Sequence, residues 1–226
     1  MLWSRRSKVS HSEAAAQAYV AHQFEDAEQQ FESSTLGTWL FLLTEVMFFG
    51  AMFTAYVIYR TAYPTAFTHG SHHLDIRFGA TNTAVLIVSS FAMVMAVHSA
   101  QLGKRRALVG WLLTTIAMGS TFVTIKMIEY HHKFVEGLVP GPWFTYVAPD
   151  AKQQELFLSL YFTMTGVHAL HMLIGIGILS WLTIQAIRGR YSSAYYNPVE
   201  CAGLYWHFVD VIWIFLFYLL YLIGRH

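Results

Sequence analysis

The chain has 226 residues, of which 55% are hydrophobic and 12% are charged, about half the charged fraction of an ordinary soluble domain. Such hydrophobicity excludes a disordered chain. The near balance of 14 Lys and Arg against 13 Asp and Glu argues against a nucleic-acid-binding surface. The single cysteine, Cys201, excludes an intramolecular disulfide framework. The composition is therefore typical of a membrane protein, with no nucleic acid among its expected partners.

Long apolar stretches predict five membrane spans. Each has at least the roughly 20 residues needed to cross a bilayer, and segments such as 82–97 lack the polar stripe that a soluble helical bundle requires. The spans run approximately from Leu36 to Tyr59, Phe78 to Leu102, Leu108 to Tyr130, Glu155 to Ile187 and Ala202 to Ile223. The predicted fold is all-α, a polytopic membrane helical bundle with five transmembrane helices.

A polar segment before the first span predicts an additional N-terminal surface helix. Its apolar residues recur at helical spacing and share one face: Val20, Phe24, Ala27 and Phe31. Residues 1–35 are therefore interpreted as an N-terminal extension with an amphipathic helix. Residues 36–226 are interpreted as the five-helix transmembrane domain.

The basic residues predict the orientation of the chain. Lys and Arg are more numerous in the N-terminal segment and in the loops after the second and fourth spans than in the other loops. Because basic residues favour the cytoplasmic side of a membrane, we expect the N-terminus in the cytoplasm. An odd number of spans then places the C-terminus outside.

Glu45 is a carboxyl residue inside the first span. It lies about 13 Å from the start of that span, at 1.5 Å per residue, and a charge inside a bilayer costs about 2.5 to 3.5 kcal/mol on insertion scales. Two interpretations stay open. Glu45 is either a proton-exchange or regulatory carboxyl, or one side of a helix–helix hydrogen bond.

The fourth and fifth spans carry further polar residues at helical spacing. His168 and His171 are three residues apart, and so are His207 and Asp210, so each pair shares a helix face. Their spacing matches no metal signature such as HExxH, and no metal site is predicted. We interpret the four residues as a structural polar belt, packed and hydrogen-bonded inside the bundle.

Lys126 and Glu129 form a further pair with this spacing, near the outer end of the third span. Side chains three residues apart on a helix are close enough for an ion pair. We therefore predict an ion pair held near the membrane interface.

These residues lie in motifs that resemble subunit III of the haem-copper cytochrome c oxidases. Five stretches carry the resemblance, in the order of the family and over nearly all of residues 22–224: EQQFESSTLGTWLFLLTEVMFFGAMFTAY (28–56), NTAVLIVSSFAMVMAVH (82–98), IKMIEYHHKFVEGLVPGP (125–142), LFLSLYFTMTGVHALHMLIGI (156–176) and GLYWHFVDVIWIFLFYLLYL (203–222). Glu45 matches the family's buried glutamate, which reacts with carbodiimides. The polar pairs described above match its HxxH, WHFVDxxW and KxxEY motifs.

The resemblance implies an accessory role. The family subunit has no catalytic centre of its own and holds neither haem nor copper, which reside in partner subunits. It contacts oxidase subunit I directly, within a complex that also contains subunit II and in some cases a small subunit IV. That complex reduces O2 to water, pumps protons and can join respiratory supercomplexes. A bacterial cytoplasmic (inner) membrane location is implied.

One departure from the family concerns lipid binding. Many members have two additional N-terminal spans, which form a V-shaped cleft for phospholipids, and residues 1–35 are too polar to supply them. We expect bound phospholipid along the first and second spans, with Arg60 or Arg77 contacting the head group.

Three functions are compatible with the sequence. The first is subunit III of a cytochrome c oxidase, stabilising subunit I and supporting proton uptake. The second is the corresponding subunit of a quinol oxidase or of a nitric-oxide-reductase-associated homologue. The third, from another class, is a stand-alone proton-coupled transporter using Glu45, His168 and Asp210, although internal repeats typical of transporters are not evident.

Overall fold

The computed structural model describes residues 23–147, 149–193 and 195–223. The elements of the described residues are helices connected by loops. They are α1 (Ala27–Ala62), α2 (Pro64–His72), α3 (Ile76–Gln101), α4 (Arg105–Val135), α5 (Ala151–Ile187) and α6 (Asn197–Phe217), which continues into a π-helical segment, Tyr218–Leu222. The predicted all-α fold is confirmed.

Five of these helices are long and apolar enough to cross a membrane. They are α1, α3, α4, α5 and α6 with its π-helical extension, and each matches one predicted span. The helices begin or end several residues beyond some predicted limits. For example, α6 begins at Asn197 with Pro198 in its first turn, where the missing N–H of proline has no helical partner to lose.

The first helix begins before the predicted start of the first span. Asp26 caps α1 because its side chain accepts a hydrogen bond from the backbone N–H of Gln29 at 2.7 Å, as expected of an N-cap aspartate. Residues 27–35 are therefore the first turns of the membrane-spanning helix, and residue 36 is not a helix boundary. Over these residues the predicted N-terminal helix is continuous with the first span, and its remaining part, up to residue 22, lies outside the described residues.

The short helix α2 was not predicted from sequence. Pro64 starts it, and Phe67 is fully buried against Tyr56 of α1 and Phe157 of α5, at ring-centroid distances of 5.5 and 5.3 Å. Gly70 lies so close to the ring of Phe157 that a Cβ would approach it to 2.5 Å. This packing holds α2 over the end of the bundle where α1 ends and α5 begins.

The core lies where α3, α4, α5 and α6 pack together. Trp206 and Trp213 of α6 are its largest fully buried side chains. Trp206 fits between two glycines, since a Cβ would approach its ring to 2.7 Å at Gly119 and 2.9 Å at Gly175. Helix α1 lies against α5 and α6 and has the lowest buried share of the five spans, which leaves an open groove along part of its length.

Candidate functional site

Glu45 and His171 form a hydrogen-bonded pair between α1 and α5. Oε2 of Glu45 lies 3.0 Å from Nε2 of His171, and Nδ1 of His171 lies 2.9 Å from the carbonyl oxygen of Val167. A carbonyl oxygen only accepts hydrogen bonds. Nδ1 of His171 therefore carries a hydrogen atom and donates a hydrogen bond to the carbonyl oxygen of Val167. In a neutral imidazole Nε2 is then an acceptor, and the proton of the pair belongs to the carboxyl group.

The alternative protonation state of this pair is an ion pair between a carboxylate and an imidazolium. Both side chains are mostly buried, with 17% of Glu45 and 12% of His171 exposed. Burial in an apolar environment disfavours separated charge. In either state one proton lies between Oε2 of Glu45 and Nε2 of His171.

The pair lies at the inner end of a groove between α1, α5 and α6, with a volume of about 720 Å³. Apolar and small residues form most of its walls, including Phe41, Ile174, Ile178 and Trp181. Tyr205 closes one side and donates a hydrogen bond from its hydroxyl group to the carbonyl oxygen of His171 at 2.9 Å. This bond fixes α6 to α5 at the level of the pair.

His168 lies one turn before His171 but does not join its hydrogen bonds. It is fully buried, and among the described residues neither ring nitrogen has a hydrogen-bond partner. Its ring packs between Phe122 and Trp213, at centroid distances of 5.4 and 5.3 Å. His168 is therefore held by aromatic packing in the interior, while His171 faces α1.

His207 and Asp210 point towards α3 instead. Nδ1 of His207 lies 2.8 Å from the hydroxyl oxygen of Ser90, and Ser90 and Asp210 line the same cavity. Within the described chain, neither carboxyl oxygen of Asp210 has a hydrogen-bond partner. Asp210 thus lies near Ser90 and does not contact Glu45.

The four residues of the predicted structural polar belt do not form one hydrogen-bond network. They occupy three separate places: His171 beside Glu45, His168 among aromatic rings, and His207 beside Ser90 with Asp210 nearby. The physical reason is that helices α5 and α6 each contact several neighbours. A three-residue spacing brings side chains near one another but lets each face a different helix.

Lys126 and Glu129 form the predicted ion pair, with Nζ 2.7 Å from Oε2. Each side chain is at most 2% exposed, so the pair is buried among the helices. Tyr161 and Tyr221 each accept a hydrogen bond from Nζ of Lys126 at 3.0 Å, and Tyr221 donates to Oε1 of Glu129 at 2.6 Å. Polar partners thus satisfy both charges inside the bundle.

Aromatic rings complete the surroundings of the Lys126 ammonium group. Nζ lies 4.9 to 5.7 Å from the ring centroids of Tyr130, Tyr161, Trp213 and Tyr221, within the range of cation–π attraction. Sequence reasoning missed the two tyrosine partners. Each partner is a tyrosine on another span, at a similar depth in the bundle. The sequence does not show how one helix is rotated against another, so it does not show that these tyrosines face Lys126.

Arg60 and Arg77, the predicted lipid contacts, differ in their surroundings. Arg60 donates to the carbonyl oxygen of Ile223 at 3.0 Å and to the hydroxyl group of Tyr56 at 3.2 Å. Tyr56 in turn donates to the carbonyl oxygen of Leu219 at 2.6 Å. Arg60 therefore holds the π-helical segment to α1, whereas Arg77 is exposed in the first turn of α3.

Among the described residues, two titratable groups outside the spans have shifted pKa values. The imidazole of His69, 3.0 Å from Asp150, lowers the pKa of that carboxyl group by hydrogen bonding. Burial raises the pKa of Tyr191, in the loop between α5 and α6, to about 12. The first contact joins α2 to the residue that precedes α5. In the part of the chain that the structure describes, no group of three His, Cys, Asp or Glu could hold a metal ion.

Comparisons with known proteins all identify similarity to subunit 3 of oxidases. The family model "Cytochrome c oxidase subunit III" matches residues 17–225. The chain is 37% identical to cytochrome c oxidase subunit 3 of Synechocystis sp., over 83% of this chain and 74% of the relative. It is 31% identical to cytochrome bo(3) ubiquinol oxidase subunit 3 of Pseudomonas aeruginosa, over 91% and 92%. It is 27% identical to quinol oxidase subunit 3 of Bacillus subtilis, over 91% and 97%.

Proposed function

Because the chain belongs to the cytochrome c oxidase subunit III family, we propose that it is a non-redox accessory subunit of a haem-copper terminal oxidase. It is a multi-pass membrane protein and a member of an oxidase complex. In the proposed role it binds directly to subunit I and stabilises it. O2 is reduced by haems and copper held in the partner subunits, and this chain contributes no ligand to them.

The electron donor of the complex is cytochrome c or a quinol. The relatives include subunits of both kinds of oxidase at similar identity, so the donor is a property to be measured. The proposed accessory role is the same in either case, because this chain supplies neither the donor site nor the redox centres.

The observation that carries the proposed role is the Glu45–His171 pair. A carboxyl group and an imidazole 3.0 Å apart share a transferable proton inside a membrane span. Such a pair can exchange protons with its neighbours as the local field changes, which is the property needed to support proton uptake by an adjacent subunit. The pair also fixes α1 to α5, so its proposed chemical role and its structural role coexist.

Placement in the membrane follows from the same proposal. The complex would lie in a bacterial inner membrane with the N-terminus in the cytoplasm, as the distribution of Lys and Arg supports. Exposed Arg77, at the outer end of α3, would contact a phospholipid head group there. The guanidinium of Arg60 already binds two oxygen atoms of the chain, which makes it the weaker candidate.

Purification of the native complex through an affinity tag on this chain tests the proposal. We expect haem-bearing subunits to co-purify and the preparation to consume O2 with reduced cytochrome c or with a quinol, which identifies the donor. A chain that purifies without haem and transports protons by itself would overturn the proposal in favour of a transporter.

A further inference from the structure

Among the described residues, the groove between α1, α5 and α6 ends at a carboxyl oxygen of Glu45 that has no hydrogen-bond partner. The side chain of Glu45 makes one hydrogen bond there, through Oε2 to His171. The second oxygen, Oε1, is an acceptor in both protonation states of the pair, because it is the carbonyl oxygen of the acid and an equivalent oxygen of the carboxylate. An unsatisfied acceptor in an apolar environment costs free energy, so the groove favours a ligand with a hydrogen-bond donor.

The groove has the size and the location of a site for a membrane-soluble ligand. Its volume, about 720 Å³, lies within the range of about 300 to 1,000 Å³ typical of small-molecule sites. It extends along α1 from Ser34 to Glu45, a distance of about 16 Å at 1.5 Å per residue. Phe41, Ile178 and Trp181 are exposed along it, so an apolar tail can leave the groove directly into the bilayer.

The position of the free oxygen restricts the polar part of the ligand. Glu45 is the middle residue of the membrane-spanning part of α1, so a donor must reach the interior of the bilayer. A phospholipid head group stays at the membrane surface. An ionised fatty acid offers no hydrogen-bond donor to Oε1, because a carboxylate group only accepts hydrogen bonds.

A hydroxylated aromatic ring meets these requirements. We propose that this groove binds a lipid of the quinol class, with one ring hydroxyl group donating a hydrogen bond to Oε1 of Glu45. The ring lies beside Phe41 and Tyr205, whose centroids are 6.1 Å apart, and the tail follows the open side of the groove. No electron is transferred at this site, so binding is independent of the donor that the oxidase uses.

The decisive comparison is between a quinol and its quinone, because the quinone has the same ring and tail but no hydroxyl donor. The intact, cyanide-inhibited complex is incubated under anaerobic conditions with decyl-benzoquinol or decyl-benzoquinone and then treated with dicyclohexylcarbodiimide. Modification of Glu45 is measured by peptide mass spectrometry, so a quinol site elsewhere in the complex does not contribute. We expect quinol to protect Glu45 at concentrations about tenfold lower than quinone, the effect of a hydrogen bond of about 1.4 kcal/mol.

Two glycine variants test the groove itself without changing the pair. Gly37 lines the groove and Gly110 lies on α4, and a Cβ at either position meets no atom within 4 Å. Gly37→Phe should abolish protection by quinol, whereas Gly110→Phe should leave it unchanged. Equal protection by quinol and quinone, or protection by phosphatidylethanolamine vesicles alone, would overturn the proposal. So would undiminished protection in Gly37→Phe.

Discussion

The hydroxyl group of Tyr221 donates to Oε1 of Glu129 at 2.6 Å, across 92 residues of sequence. Tyr221 belongs to the π-helical segment that ends α6. Tyr56 of α1 binds a carbonyl oxygen within this segment, that of Leu219, and Arg60 binds the carbonyl oxygen of Ile223, directly after it. The buried ion pair of α4 therefore depends on residues from the first and last spans, and it connects elements that are distant in sequence.

Removing Lys126 should destabilise the protein strongly. Lys126→Met leaves the carboxylate of Glu129 buried without its cation, and breaking one side of a buried pair typically costs about 3 to 5 kcal/mol. The measurement is the free energy of unfolding in detergent micelles. Because two hydrophobic residues avoid an uncompensated charge, Lys126→Met combined with Glu129→Leu should be more stable than Lys126→Met alone.

A second ion pair on the same helix is the matched control. Lys133 pairs with Glu136, and the side chains are 7% and 50% exposed. Because water reaches Glu136 and a glutamine oxygen can still accept a hydrogen bond from Lys133, Glu136→Gln should destabilise the protein less than Lys126→Met. A double variant no more stable than Lys126→Met alone would contradict the role of charge pairing.

Tyr221→Phe should lower the free energy of unfolding by about 1.5 to 3 kcal/mol, the usual contribution of hydrogen bonds to charged groups. The substitution keeps the aromatic ring and removes only the hydroxyl group that binds Glu129 and Lys126. Tyr218→Phe, on an exposed residue of the same segment, is the control and should have no comparable effect. Equal effects of the two substitutions on the free energy of unfolding would show that the hydrogen bonds of the Tyr221 hydroxyl group do not stabilise the protein.

The sequence predicts the five spans because their signal is local. Apolar length alone distinguishes them, and the pairing of Lys126 with Glu129 is likewise fixed within one helix. The contact of Glu45 with His171 depends on how α1 rotates against α5, and single-sequence periodicity does not contain that rotation. For the same reason, the sequence does not predict that His168 packs among aromatic rings or that Asp210 faces α3.

The short helix α2 and the π-helical end of α6 were missed for different reasons. Helix α2 is too short for a periodic signal, although Pro64 at its first position is a typical helix start. The π-helical segment has no distinctive composition. It forms where Tyr56 binds a carbonyl oxygen within it and Arg60 binds one directly after it, tertiary contacts that no local pattern reports.

Alanine at the glycines beside Trp206 should destabilise the bundle. A Cβ would approach the indole ring to 2.7 Å at Gly119 and 2.9 Å at Gly175, and overpacking of this kind costs about 1 to 3 kcal/mol. Gly110 and Gly177 lie on the same two helices with no atom within 4 Å of a Cβ. Alanine at these two control positions should not lower the unfolding temperature in micelles. A similar loss at all four positions would instead indicate a general effect of replacing glycine.

Replacing Glu45 with glutamine should leave the haem absorption spectrum of the assembled oxidase unchanged. The side chain bonds to His171 at 3.0 Å, and the proposed role gives this chain no metal ligand. The glutamine amide can still donate to Nε2, so the contact between α1 and α5 persists while the transferable proton is lost. We therefore expect slower proton uptake with normal spectra and subunit content, measured by pH-indicator kinetics in vesicles. Met47→Leu, on an exposed residue of the same helix, should change neither property. A shifted haem band in a fully assembled Glu45→Gln complex would contradict the accessory role, and unchanged proton uptake would leave the pair a purely structural contact.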